Sequence, residues 1–213
     1  MIDDPIGGAV DWIRRGELLA YPTETVWGLG ADARSVAAVE KLRLWKGRRD
    51  FAPLSILVAD AGALEPLGFE FNELAQRLAA AFWPGPLTLV LNCRSRFAPG
   101  IPRHDGAVGV RCSSHPISAA LARRLAEQGV GPVTSTSLNR SGRPAAATLA
   151  QAKQICGARE DSPRVLEIEG AEAGGGGEST VIDATGPELL VLRWGALEKP
   201  DLASVLASLE DAG

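Results

Sequence analysis

The chain has 213 residues, 46% hydrophobic and 23% charged, with a formal net charge of -4. That length and balance suit one large domain or two small ones, with a sizeable buried core. They exclude a chain that is basic throughout and binds nucleic acid by bulk charge, though a local basic surface stays open. No apolar run approaches the roughly 20 residues of a membrane helix, and the acidic start "MIDDPIGGAV" lacks the apolar centre of a signal peptide. The three cysteines, Cys93, Cys112 and Cys156, form no CxxC pair and read as reduced thiols in a cytoplasmic protein. His104 and His115 are too far apart for a short helical metal pair.

Strand-like and helix-like segments alternate along the chain. "ELLAYP" reads as a short buried strand and "PTETVWGLG" as the loop that follows it. "SVAAVEKLRLWKGR" predicts a helix with Val39, Leu42 and Trp45 along one side. "PLSILVAD" predicts a strand; "NELAQRLAAAFWPG" predicts a helix carrying Leu74, Leu78 and Phe82, stopped by Pro-Gly. "PLTLVLN" and "GAVGVRC" are further strands. "HPISAALARRLAEQG" is an amphipathic helix with Ile117, Leu121 and Leu125 in register, closed by Gly129. A short strand in "GPVTSTSLN", a helix in "TLAQAKQIC" and strands in "RVLEIEG", "STVIDAT" and "LLVLRWG" follow. The tail "DLASVLASLED" predicts a helix docked by Leu202, Val205, Leu206 and Leu209. "AGGGGE", from Ala173 to Glu178, reads as a mobile loop. The alternation predicts a single α/β domain over residues 1–213, built on a twisted, mostly mixed open sheet flanked by helices.

Four separated pieces place polar groups just beyond apolar strands, where ligands sit in α/β sheets. Thr23, Glu24 and Thr25 precede Gly28 and Gly30; hydroxyls and bare backbone there suit a small polar ligand or a side-chain-capped turn. "KGRRD" puts Lys46, Arg48 and Arg49 at a helix end, where cations suit either phosphate or the helix dipole. "STSLN" supplies Ser135, Ser137 and Asn139, which suit a nucleotide or an Asx turn. "GESTVID" with "VLRWG" supplies Ser179 and Arg193. None of these is a GxxxxGK[ST] or GxGxxG phosphate loop, and there is no GxSxG elbow.

Taken in order, the pieces resemble the YrdC-like family, the threonylcarbamoyl-adenylate synthases of tRNA modification. The family's opening motif appears as "PTETVWGLG", its KxR motif as Lys46-Gly47-Arg48, its SxN motif as Ser137-Leu138-Asn139, and its late motif as "STVID" with Arg193 in "LRWG". "WPGPLTLVL" and "VGVRCSSHP" also look like family segments. The resemblance runs from about Leu18 to Gly195. Trp27 stands where tyrosine or phenylalanine is usual, which keeps an aromatic wall. Arg49 replaces a common proline, Ala52 a frequent asparagine, and Leu138 the usual alanine, which could narrow the pocket. The chain looks like the short, single-domain form.

The resemblance implies a YrdC-like fold with a concave central cavity and a nucleotidyltransferase that makes threonylcarbamoyl-AMP and pyrophosphate from L-threonine, bicarbonate and ATP. It implies Mg2+ carried with the ATP and no metal held by protein side chains. Lys46 and Arg48 would bind the triphosphate and stabilise its charge. Asn139, Arg193 and, as a wall residue, Asp50 would contact ATP. Arg111 would meet the threonine carboxylate or the carbamate, and Thr23, Ser137, Ser179 and the wall residue Ser55 would contact threonine. The product would feed a downstream threonylcarbamoyl-transferase complex acting on tRNA in the cytoplasm. The alternative is a non-catalytic module of the same fold that contacts tRNA or double-stranded RNA through Lys46, Arg48, Arg49, Arg140 and Arg143.

Overall fold

The computed structural model describes residues 4–47, 52–159, 161–170 and 172–210. Among these residues nine strands form one sheet: β1 (Leu19–Tyr21), β2 (Gly28–Gly30), β3 (Ser55–Leu57), β4 (Leu87–Leu91), β5 (Val108–Arg111), β6 (Thr134–Ser137), β7 (Arg164–Val165), β8 (Thr180–Asp183) and β9 (Leu190–Arg193). Their order is β7-β1-β2-β6-β3-β5-β4-β8-β9. The pairs β1–β7, β3–β5 and β4–β8 are parallel and the other five antiparallel, so the expected mixed open sheet is present.

Six α-helices among the described residues flank it: α1 (Pro5–Arg14), α2 (Val36–Lys46), α3 (Glu73–Phe82), α4 (Pro116–Glu127), α5 (Leu149–Cys156) and α6 (Lys199–Glu210). The alternation of side chains along a strand decides what each face of the sheet carries. In β4, Leu87, Leu89 and Leu91 enter one core, together with Val108 and Val110 of β5 and Ile182 of β8. That core is closed by α2 through Val39, Leu42 and Trp45, by α3 through Leu74 and Leu78, and by α5 and α6 through Ala152 and Leu202. Val205 packs against it from partial burial; the side chains of Leu206 and Leu209 fall outside the described set.

The opposite face is covered only in part. There α1 and α4 pack together, and Ala9, Val10, Ile13, Leu121 and Leu125 bury Leu19, Tyr21 and Leu57. Each large apolar side chain buried this way contributes about 1.5–3 kcal/mol. Beyond the reach of α1 and α4 the same face changes character. It carries Gly28, Ser137, Ser135, Ser55, Gly109, Thr88 and Arg111 and stays open. A helix with an apolar stripe has nothing to bury against such a surface.

One element was not anticipated in the sequence and one differs from its expectation. "PIGGAVDWIR" is a helix despite two interior glycines. Asp4 caps it by accepting from the Gly7 N–H at 2.9 Å, Pro5 occupies its first turn, and tertiary burial of one face does the rest. "GLG" is strand β2, not loop. Its glycines are there for Tyr21: a Cβ on Gly28 would lie 2.8 Å from the Tyr21 ring. The ring passes beneath β2 so that its hydroxyl donates to the Thr134 carbonyl at 2.9 Å. Burial pushes that phenol up to about 12, so it stays a neutral donor.

Candidate active site

The open half of the sheet forms the floor of a cavity of about 400 Å3, within the range of small-ligand sites. Its wall includes four cationic side chains, Lys46, Arg103, Arg111 and Arg193. The chain is acidic overall, yet this cavity is lined for anions.

Lys46 ends α2 and is 4% exposed. Its Nζ donates to the Ser137 carbonyl at 2.5 Å and to Asn139 Oδ1 at 2.7 Å. Asn139 also accepts from Ser137 Oγ at 3.0 Å and donates through Nδ2 to the Arg143 carbonyl at 2.5 Å. The KxR lysine and the SxN motif are thus one bonded unit on the cavity wall, although they are about 90 residues apart in sequence. Lys46 faces a cavity and not an exposed surface, which removes it from the basic face that an RNA-binding module would use. Arg140 stacks over the Trp45 ring, 4.1 Å from its centroid.

Arg111 ends β5 and is 7% exposed. Its Nη2 donates to Thr25 Oγ1 at 2.5 Å and to Thr23 Oγ1 at 3.2 Å, and lies 3.0 Å from Glu24 Oε1. Its Nε is buried without a hydrogen-bond partner among the described residues. A guanidinium oriented from behind and lining the cavity is suited to receive a carboxylate. Across the cavity, Arg193 donates through Nε and Nη2 to the Ser179 carbonyl and pairs with Glu178 through Nη1 at 2.7 Å. Ser179 Oγ contacts Thr88 Oγ1 at 2.9 Å.

Of the residues singled out in the sequence, Lys46, Ser55, Arg111, Ser137, Asn139, Ser179 and Arg193 share this one cavity. Arg48 and Asp50 lie outside the described residues. Thr23 is brought to Arg111 but stands behind the wall. Its hydroxyl donates to the Val26 carbonyl at 2.6 Å and meets Thr25 Oγ1 at 2.9 Å, so it supports the site where direct ligand contact was expected. Trp27 and Leu138 are fully buried in the core and not on the cavity wall; they neither build an aromatic wall nor narrow the pocket. The glycine-rich segment is also not a loose loop. The Gly174 and Gly175 N–H groups donate to the Thr23 and Thr25 carbonyls at 3.1 and 2.8 Å.

Sequence reasoning missed Arg103. Its guanidinium reaches the cavity wall while bridging Asp105 and Asp183, the latter at 2.6 Å. These bonds raise the Arg103 pKa and hold the Asp105 carboxyl far below its ordinary value. Burial opposes ionisation of Asp183, but hydrogen bonds from Thr185 and Arg103 outweigh it and hold that carboxyl below its ordinary value too. The only signal would have been one arginine beside an acid in a turn, with its second partner 80 residues away. The cysteines are free thiols. Burial pushes Cys112 and Cys156 up to about 11 and about 12, so both are unreactive at neutral pH. Among the described residues no cluster of three or more His, Cys, Asp or Glu side chains could hold a metal, and no helix is long and apolar enough to cross a membrane.

A family model described as Sua5_yciO_yrdC, telomere recombination, matches residues 11–195. The chain belongs to the Sua5/YciO/YrdC family. Among members of that family, a threonylcarbamoyl-AMP synthase of Bacillus subtilis is 35% identical over 97% of this chain and 58% of its own length. One of Chromohalobacter salexigens is 36% identical over 88% of this chain and 96% of its own length. The crystal structure of Pyrococcus abyssi Sua5 complexed with L-threonine superposes with a TM-score of 0.83 at 37% identity, covering 94% of this chain and 57% of that one. The chain therefore spans somewhat over half of two of these Sua5/YciO/YrdC relatives and nearly all of the third.

Proposed function

We propose that this protein is an L-threonylcarbamoyladenylate synthase, a nucleotidyltransferase that forms threonylcarbamoyl-AMP and pyrophosphate from L-threonine, bicarbonate and ATP. The observation that carries this reading is the convergence of Lys46–Asn139, Arg111 and Arg193 on one cavity. The synthase names of the relatives and the threonine complex of the Pyrococcus abyssi protein support it.

In this reading the α-amine of threonine attacks the carbon of bicarbonate, a C–N bond forms, and water leaves to give the carbamate. A carbamate oxygen then attacks the α-phosphorus of ATP, and the bond to pyrophosphate breaks. No covalent enzyme nucleophile is needed. The protein's work is to hold two anions together and to neutralise charge as it develops; such gathering is worth on the order of 7 kcal/mol or more in favourable cases. Arg111 takes the threonine carboxylate from the cavity wall. Lys46 and Arg48 take the triphosphate, Asn139, Arg193 and Asp50 contact the nucleotide, and Ser55, Ser137 and Ser179 contact threonine. Thr23 acts through Arg111. Four wall cations fit phosphates, and Mg2+ carried with the ATP would add further charge neutralisation there. The labile product would pass to a transferase complex that modifies tRNA.

The test is pyrophosphate release by the purified protein with Mg-ATP and bicarbonate, with and without L-threonine. The expected result is release that needs threonine; release indifferent to threonine would refute the reading.

A further inference from the structure

Glu24 belongs to the opening motif, yet it is not on the cavity wall and neither substrate as assigned above touches it. Its Oε1 lies 3.0 Å from Arg111 Nη2, and its Oε2 accepts from Ser113 Oγ. The two side chains are 15% and 8% exposed, so the pair is shielded from water. The backbone on either side of Glu24 is held in turn by the glycine-rich strap from Glu172 to Glu178.

The strap is held at its start by two helix ends. The Glu172 carbonyl contacts His115 Nε2 at 3.1 Å at the start of α4, and Glu172 Oε2 accepts from the Leu149 N–H at 3.1 Å at the start of α5. It then runs over the opening motif, where Gly174 and Gly175 bond the carbonyls on either side of Glu24. A Cβ at Gly174 would stand 2.0 Å from the Glu24 carbonyl oxygen and 2.8 Å from its carbon. The φ of Gly174 is not in the left-handed region, so conformation alone does not call for glycine there; the approach to Glu24 does. Gly176, two residues on, has only Ala196 Cβ near, at 3.8 Å.

We infer that Gly174 and Glu24 are positioning residues for Arg111. The strap clamps the Glu24 backbone, the Glu24 carboxylate holds Arg111 Nη2, and the guanidinium so oriented meets the carboxylate of the amino-acid substrate from the cavity wall. This rests on the function proposed above, and its consequence is selective: the amino-acid end of the cavity depends on the strap, while the Lys46–Asn139 unit does not.

The experiment compares Gly174→Ala, Gly176→Ala and Ser113→Ala with the parent protein in two measurements. The first needs no substrate: the Arg111 Nε–H resonance in 15N spectra, assigned with Arg111→Lys. It is expected to move in Gly174→Ala and Ser113→Ala and to stay in place in Gly176→Ala. The second is steady-state pyrophosphate release. The KM for threonine is expected to rise on the order of tenfold or more in Gly174→Ala and Ser113→Ala, with kcat and the KM for ATP within about threefold of the parent. An unmoved Arg111 resonance overturns the inference, as does an unchanged threonine KM or an equal effect of Gly176→Ala. If Gly174→Ala does not fold, Ser113→Ala decides by the same two readouts. If the parent shows no threonine-dependent turnover, the proposed function fails, and the resonance still decides whether the strap orients Arg111.

Discussion

One face of the sheet is two surfaces. Toward β1 it carries Leu19 and Tyr21, with Leu57 of β3, under α1 and α4. The rest, from Gly28 of β2 across β6, β3 and β5 to Thr88 of β4, carries serines, threonine, glycines and cations and lies outside the α1–α4 cluster. The backbone is continuous across both, so the difference lies in side chains alone. Where strand residues are large and apolar, covering them with helices is the favourable outcome. Where they are Gly, Ser or Thr, leaving them open forfeits little, and the buried cations gain a place to meet an anion. The covered half stabilises the fold, and the open half is available for chemistry.

That division can be broken by substitutions on each side. Lys46→Ala should have the largest effect, lowering turnover on the order of 100- to 1,000-fold, measured as threonine-dependent pyrophosphate release. Retention of most activity would take Lys46 out of the chemistry. Arg111→Ala comes next: it leaves the buried Glu24 carboxylate without its cation and should lower unfolding free energy by about 3 kcal/mol in urea, besides weakening threonine binding. Leu121→Ala, on the covered half, should cost about 2–3 kcal/mol of stability and leave both substrate KM values unchanged; a shifted KM would blur the division. The smallest effect concerns acid. Asp183 is held below its ordinary pKa in the folded state, so its pairing with Arg103 stabilises fully above about pH 4 and is lost as pH falls through the folded value. Arg103→Ala should therefore flatten the decline in melting temperature below pH 4, by the equivalent of roughly 1 kcal/mol. An unchanged slope would show that the pairing contributes nothing.

Much of this was legible in the sequence. The helices that bury Val39, Leu78 and Leu121 follow from 3.6-residue spacing, and β4 and β5 from their apolar runs. The cavity residues Lys46, Ser137, Asn139 and Ser179 were legible as polar groups at a helix end or beside a strand. What was hidden depended on partners distant in sequence. "GLG" reads as loop because glycine has poor strand propensity, and only the Tyr21 ring across β1 explains it. Trp27 and Leu138 sit beside motif residues but point into the core, a distinction that strand alternation gives only once β2 and β6 are paired. The strap reads as mobile from composition, whereas its bonds to Thr23 and Thr25 need the fold.

The most direct test of the open half as a two-anion site is a crystal structure of the protein soaked with ATP and L-threonine. The account expects the threonine carboxylate on Arg111 and the triphosphate on Lys46, both on the uncovered side of the sheet. Ligand density elsewhere, with Arg111 and Lys46 touching neither molecule, would contradict it.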